Sequence, residues 1–299
     1  FKPYVYLTAL ENGWKPTSTL RDTSPFCKPN HYVTNFDGGT SGRTMQLIEA
    51  ISRSTNTIAV KLSHEVTIKK VAEVVRRLGI SKVDTSCTMA LGTTDVTPLE
   101  HTSAYAVFAN GGIEVHPYAI EEIHTLQGEP LYAHDRDEPA RKRIFDLEDV
   151  EMLNTMMQAV VLAGTGRAAQ LDFTNAIGKT GTSSNYRDAW FMGITGQYVA
   201  GVWIGNDDFT PMSRVTGGSF PAQTWHNFMV LAHDTDNIPD IPGIATHPVQ
   251  VAEQARLAAA QKATATAEAD AAAAAPVPAP TVPAITSASS SSARSSSVA

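Results

Sequence analysis

Apolar positions along the chain fall into helical and strand-like periods, separated by runs of Gly, Pro, Ser, Thr and Asn. Residues 3–10 place Tyr6, Leu7 and Leu10 at helical spacing and close on Asn12-Gly13, with Lys2 at the start. From 14 to 40 the periodicity disappears. Pro, Thr, Ser, Asn and Gly dominate there, and Asp37-Gly38-Gly39 marks a turn, so the stretch reads as a long surface excursion bordering a groove. Thr44 is placed to cap a helix carrying Leu47, Ile48 and Ile51 on one face. Ser54-Thr55-Asn56 interrupts that pattern before a second apolar run, Ile58-Ala59-Val60-Lys61-Leu62. Such residues compete for backbone hydrogen bonds and disfavour helix interiors, so the break is either a satisfied bend or a site.

Residues 67–78 form an amphipathic pattern (Val71, Val74, Val75, Leu78) closed by Gly79. Thr97-Pro98-Leu99-Glu100 fits a capping box with proline at the first helical position, opening a helix that ends at Asn110-Gly111-Gly112. Residues 113–134 read as strands around a Gln127-Gly128-Glu129-Pro130 turn, and 146–162 as a helix with Val150, Leu153, Met157 and Val160 inward. Gly164-Thr165-Gly166-Arg167 follows a helix, not a strand, so it reads as a helix terminator and not as a nucleotide loop.

Three strand-like runs follow at 175–182, 189–195 and 198–204; links this short permit only antiparallel neighbours. Residues 221–233 complete the pattern as a helix expected to pack on the sheet through Trp225, Phe228, Met229 and Leu231. Beyond 244 the chain becomes Ala-rich, then Pro-rich, then Ser-rich. A body over 1–244 and a disordered tail over 245–299 are therefore expected.

Composition narrows the function classes. A net charge of −7 and no basic stripe argue against nucleic-acid binding and against an anionic membrane surface. Cys27 and Cys87 form no metal-ligand spacing and are compatible with two free thiols or one disulfide. The nine histidines show no helical metal-binding pair, so no metal and no cofactor is expected. No stretch of about 18 apolar residues spans a membrane. The chain opens on Phe1-Lys2-Pro3 without an initiator methionine or signal peptide, which predicts a piece of a longer protein.

The candidate chemistry gathers at Ala176-Ile177-Gly178-Lys179-Thr180-Gly181-Thr182, a strand whose glycine leaves backbone uncovered. A bare strand edge pairs with an extended peptide, main chain to main chain. The Lys179 ammonium and the hydroxyls of Thr180 and Thr182 suit a carboxylate at the peptide's end. Serine acyl transfer on the penicillin-recognising scaffold uses S-x-x-K, S-x-N and K-T-G. Ser54-Thr55-Asn56 fits the second and Lys179-Thr180-Gly181 the third, in that order; Lys2 fits the lysine of the first, which puts the serine two positions before Phe1.

With that alignment the sequence resembles the transpeptidase domain of class A penicillin-binding proteins, the bifunctional cell-wall synthases. Beyond the motifs, Ala90-Leu91-Gly92-Thr93, Phe108-Ala109-Asn110-Gly111-Gly112, Asn185-Tyr186-Arg187-Asp188-Ala189-Trp190-Phe191 and Val202-Trp203-Ile204-Gly205-Asn206-Asp207 carry it, so that it covers about 1–232. The resemblance implies an α+β fold, an antiparallel sheet flanked by helices as in serine β-lactamases, lacking its N-terminal part. It implies Lys2 as base, Ser54 as proton relay, Asn56 holding Lys2 and the donor's amide, and Lys179 keeping Lys2 neutral. Thr180, Gly181 and Thr182 would take the donor's carboxylate and acyl oxygen. The implied partners are peptidoglycan stem peptides ending in D-Ala-D-Ala, an amine acceptor and β-lactams, on the periplasmic side of the membrane and anchored by a segment outside this chain. The rivals are a D,D-carboxypeptidase or β-lactamase on the same scaffold, and a non-catalytic module that keeps the groove alone.

Overall fold

The computed structural model describes residues 1–27, 31–234, 238–252, 255–256 and 259. The core is built around helix α1 (Lys2–Glu11), whose residues from Pro3 to Leu10 are all buried. A helix apolar on every side has no solvent face and becomes a central strut. Pro3 sits in its first turn, where a missing N–H costs nothing.

Three short strands, β1 (Thr19–Arg21), β2 (Phe26–Cys27) and β3 (His31–Tyr32), occupy the excursion that lacked periodicity. β2 pairs antiparallel with β3, while β1 pairs antiparallel with β4 (Thr44–Gln46). Thr44 is thus in a strand, and the helix expected from it begins later, as α2 (Leu47–Ser52). Pairing with β1 takes up the backbone that a helix start would have left open. The helices α3 (Asn56–Glu65) and α4 (Ile68–Arg77) pack on α1, α4 capped by the Thr67 side chain. Helix α5 (Pro98–Ala109) opens with both halves of the Thr97–Glu100 capping box. A small hairpin, β5 (Glu122–His124) with β6 (Pro130–Ala133), leads through one turn of helix, α6 (His134–Asp137), to α7 (Leu147–Leu162), which also packs on α1.

The main sheet has strand order β7 (Ile177–Thr182), β8 (Asp188–Ile194), β9 (Val199–Gly205), all antiparallel, with Lys179 opposite Met192 and Gly181 opposite Trp190. β7 is an edge strand of this sheet. Helix α8 (Phe220–Ala232) lies against β8 and β9. Only part of its expected face is inward: Ala222, Trp225 and Met229 are buried, but Phe228 and Leu231 are exposed. The buried stripe runs at i, i+3 and i+7 from Ala222, and positions 228 and 231 fall off it.

A disulfide joins Cys27 to Cys87. Ile238, Ile241 and Ile244 are buried, Asn175 donates to the Ala245 carbonyl, and the Gln250 amide donates to the Ile238 carbonyl. The compact unit accordingly runs Phe1–Val251. Of a second unit, Ala252–Ala299, residues 252, 255, 256 and 259 are helical. The rest of the expected tail lies outside the described residues. No described helix is long and apolar enough to cross a membrane.

Candidate active site

Ser54 stands in the short link between α2 and α3 with φ of +58°, a left-handed conformation that a residue with a Cβ adopts at some cost. Its amide reaches back to the Ile51 carbonyl, and Thr55 to that of Ala50, which ties off α2. The polar break thus turns the chain sharply and lifts the serine hydroxyl off both helices.

Two lysines from distant segments converge on that hydroxyl. Lys2 Nζ donates to Ser54 Oγ at 3.1 Å from the first turn of α1, and Lys179 Nζ donates to the same oxygen at 2.9 Å from β7. Lys179 is 4% exposed and also donates to its neighbour's carbonyl, Thr180 O, at 3.1 Å. Burial lowers the Lys2 amine to about 8. Burial, and then the nearby Lys2 charge, holds the Lys179 amine well below the ordinary lysine range.

Asn56 lies at the start of α3, with its Nδ2 donating to the Thr34 carbonyl at 3.2 Å. The resemblance implies that it holds Lys2; among the described residues Lys2 bonds Ser54 instead. The α3 amides explain this placement, since Asn56 and Thr57 N–H both donate to Asn35 Oδ1, drawing the segment toward residues 34–35.

On β7, Thr180, Gly181 and Thr182 are half-buried along the sheet edge. Thr180 Oγ1 is 2.6 Å from Thr165 Oγ1 and 3.5 Å from Lys179 Nζ. Thr182 Oγ1 accepts the Gly217 N–H at 3.1 Å, which leaves its own proton to donate. Gly217 is pressed against the strand: a Cβ there would sit 2.2 Å from the Trp190 carbonyl oxygen and 2.5 Å from that of Gly181. Gly164 meets the Ser52 carbonyl in the same way, at 2.3 Å, so the terminator of α7 docks on the end of α2 and presents Thr165 to the strand. Phe36 and Tyr186 meet edge to face at the rim, ring centres 5.7 Å apart. A hollow of about 620 Å³ opens beside Ser52, Arg53, Gly164 and Thr165; it adjoins the cluster but neither lysine lines it.

Thr165, Gly217 and Asn35 are site neighbours that no chemical pattern marks. Thr165 lies in the glycine-containing run that reads as a helix terminator, Gly217 before the last helix, and Asn35 in an aperiodic loop. Cys27, Cys87 and His64 bring their sulfur and nitrogen atoms together, but both sulfurs are spent in the disulfide.

The family described as "Penicillin binding protein transpeptidase domain" matches residues 1–217. The chain belongs to that family. Curated relatives include penicillin-binding protein 1A of Aquifex aeolicus, 35% identical over 234 residues (76% of this chain and 32% of the relative). Penicillin-binding protein 1A of Neisseria meningitidis serogroup A is 35% identical over 248 residues (78% of this chain and 30% of the relative). The chain thus spans about a third of the length of the curated relatives it matches. Among solved structures, penicillin-binding protein 1A of Haemophilus influenzae superposes with a TM-score of 0.71 at 26% identity, covering 81% of this chain and 43% of that one. Penicillin-binding protein PonA1 of Mycobacterium tuberculosis shares the fold with a TM-score of 0.72 at 21% identity, over 83% of this chain and 72% of that one. The transpeptidase domain of the class A penicillin-binding proteins is therefore both the family and the fold: mixed helices and an antiparallel, unclosed sheet.

Proposed function

We propose that this domain is a serine D,D-transpeptidase of peptidoglycan, acting outside the cytoplasmic membrane and acylated by β-lactams. One observation supports it above the rest: a buried lysine and a half-buried one, both with depressed amines, share one serine hydroxyl beside an edge strand. Desolvated amines of this kind are wasteful in a structural role and apt for proton transfer.

In this reading the nucleophile is a serine three positions before Lys2, one helical turn from it. Neutral Lys2 takes the serine proton as it attacks the penultimate D-Ala carbonyl of a stem peptide. Ser54 passes a proton between the lysines and the departing D-Ala amine, which needs it to leave. The Thr182 N–H faces the developing oxyanion, while the hydroxyls of Thr180 and Thr182 and the Lys179 amine hold the terminal carboxylate. Asn56 Nδ2 is committed to Thr34, so its Oδ1 is the atom left to receive the donor's amide. An amine from a neighbouring strand then reverses the sequence and takes the acyl group. PonA1 has been solved with penicillin V, and a β-lactam would enter this site as the donor does.

The test is acylation of the full-length protein by a fluorescent penicillin, followed by product analysis on stem peptides. Cross-linked dimers are expected. Free D-Ala without dimers would replace the transpeptidase with a hydrolase, and no labelling would remove the acyl-transfer reading.

A further inference from the structure

Behind the site, a polar relay runs from a buried carboxylate to the segment carrying Ser54 and Asn56. Asp22 is 2% exposed, and its oxygens accept from Thr57 Oγ1 at 2.5 Å, Ser41 N and Ser41 Oγ at 2.7 Å each, and Asn35 Nδ2 at 3.1 Å. Lys61, whose amine donates to the Arg21 carbonyl and to Thr23, is the nearby cation. The other end of the Asn35 amide faces the opposite way: its Oδ1 accepts the Asn56 N–H at 2.9 Å and the Thr57 N–H at 3.3 Å.

Helix α3 needs such an acceptor. Its own cap residue, Thr55, makes no side-chain bond to the opening amides, and the first N–H groups of a helix have no partner within it. Asn35, 21 residues upstream, fills that role from outside. Its orientation is not free, because only the NH₂ end can face the Asp22 carboxylate and only the carbonyl end can face the α3 amides. The adjacent Thr34 carbonyl fixes the Asn56 side chain at the same time. Asn56, two residues after Ser54, thus takes its position through Asn35 from a carboxylate that it does not touch.

We propose that Asn35, polarised and held by Asp22, is a positioning residue that sets the reach of Ser54 and Asn56 for acyl transfer. This rests on the transpeptidase reading above. It separates from a plain helix-cap role by chemistry. Asp serves as well as Asn for capping amides, so a mere cap would leave the acylation rate of the folded protein intact in Asn35→Asp, whatever stability the facing Asp22 costs. A relay would not, since Asn35→Asp removes the donor to Asp22 and sets two carboxylates face to face. Exchanging the partners, Asp22→Asn with Asn35→Asp, restores one donor and one carboxylate in the same line.

The experiment measures the second-order rate of penicillin acylation, with thermal unfolding in parallel, on the full-length protein. Asn35→Asp should lose roughly tenfold to a hundredfold in rate, the scale on which sub-ångström to ångström misplacement acts. The exchanged double variant should recover to within a few-fold of wild type. Wild-type rates in Asn35→Asp, or a double variant no faster than the single one, would overturn the proposal. If Asn35→Asp fails to fold, the double variant decides: folding with recovered acylation supports the relay, and failure alike in both refutes it. A wild-type protein that does not acylate at all overturns the transpeptidase reading itself, a result distinct from either.

Discussion

Lys2 and Lys179 meet at a single oxygen, each donating to Ser54 Oγ, from 3.1 and 2.9 Å. Two ammonium groups sharing one hydroxyl repel each other, and burial penalises both charges. The arrangement therefore favours loss of a proton from the pair. A neutral amine beside a hydroxyl is the equipment a serine nucleophile needs.

Lys179→Ala and Ser54→Ala should each slow penicillin acylation of the full-length protein by about 10²- to 10⁴-fold, the usual worth of a positioned proton-transfer group. Thermal unfolding should change little by comparison. Lys179→Ala that unfolded the domain while residual folded protein acylated normally would make the lysine a packing residue.

Acylation should rise with pH. Lys2 titrates at about 8, below which its amine holds a proton and cannot accept one. The rate should therefore climb through that value and level off above it. Lys2→Arg, which offers no neutral form, should remove the rise together with the activity. A wild-type profile flat from pH 6 to 9 would rule out Lys2 as the base.

Asp22 makes a separate, stability-level prediction. Burial pushes its carboxyl up, but hydrogen bonds from Thr57, Ser41 and Asn35 outweigh this and hold it at about 2, against an ordinary 3.8. A depressed carboxyl stabilises the fold above its unfolded value, and that contribution is lost as pH falls through the folded value. Asp22→Ala should thus be less stable at pH 7, with the gap to wild type shrinking by roughly 2 kcal/mol between pH 5 and pH 2. Urea unfolding at the two pH values measures it, and a gap that stays constant would contradict the hydrogen-bonded carboxylate.

At the strand edge, Gly217→Ala should cost about 1–3 kcal/mol of stability, because its Cβ has carbonyl oxygens on two strands in the way. The loop would have to lift, releasing the Gly217 bond to Thr182. Penicillin acylation should fall more than the stability loss explains. Unchanged acylation would mean that the Thr182 hydroxyl is not used.

Much of this was legible in the chain. The capping box at Thr97, the closing Gly79 and the three short-linked strands are local signals, and the structure has them where they read. The convergence of Lys2, Ser54 and Lys179 was legible only because motif order carries spatial information that periodicity does not. Asp22 and Asn35 were illegible for the opposite reason. They sit in an aperiodic Ser/Thr/Asn-rich stretch, and their partners lie on a helix that begins 21 residues after Asn35. The orientation of α8 failed for want of phase, since Trp225 and Phe228 are equally apolar in sequence and only the sheet decides which turns inward.

Helix α1 is enclosed on every side, and Lys2 projects from its first turn. Lys2, the base of the proposed function, is thereby mounted on a helix wholly within the core, whereas residues 34–36, the single turn within 183–187 and residues 214–219 frame the opening. On the proposed function, accommodation of different donors, or exclusion of a bulky antibiotic, has to come from that frame. Sequence change that alters which β-lactams enter should therefore accumulate around the rim, while α1 stays nearly immune to it: any substitution large enough to shift the lysine would first unseat the core.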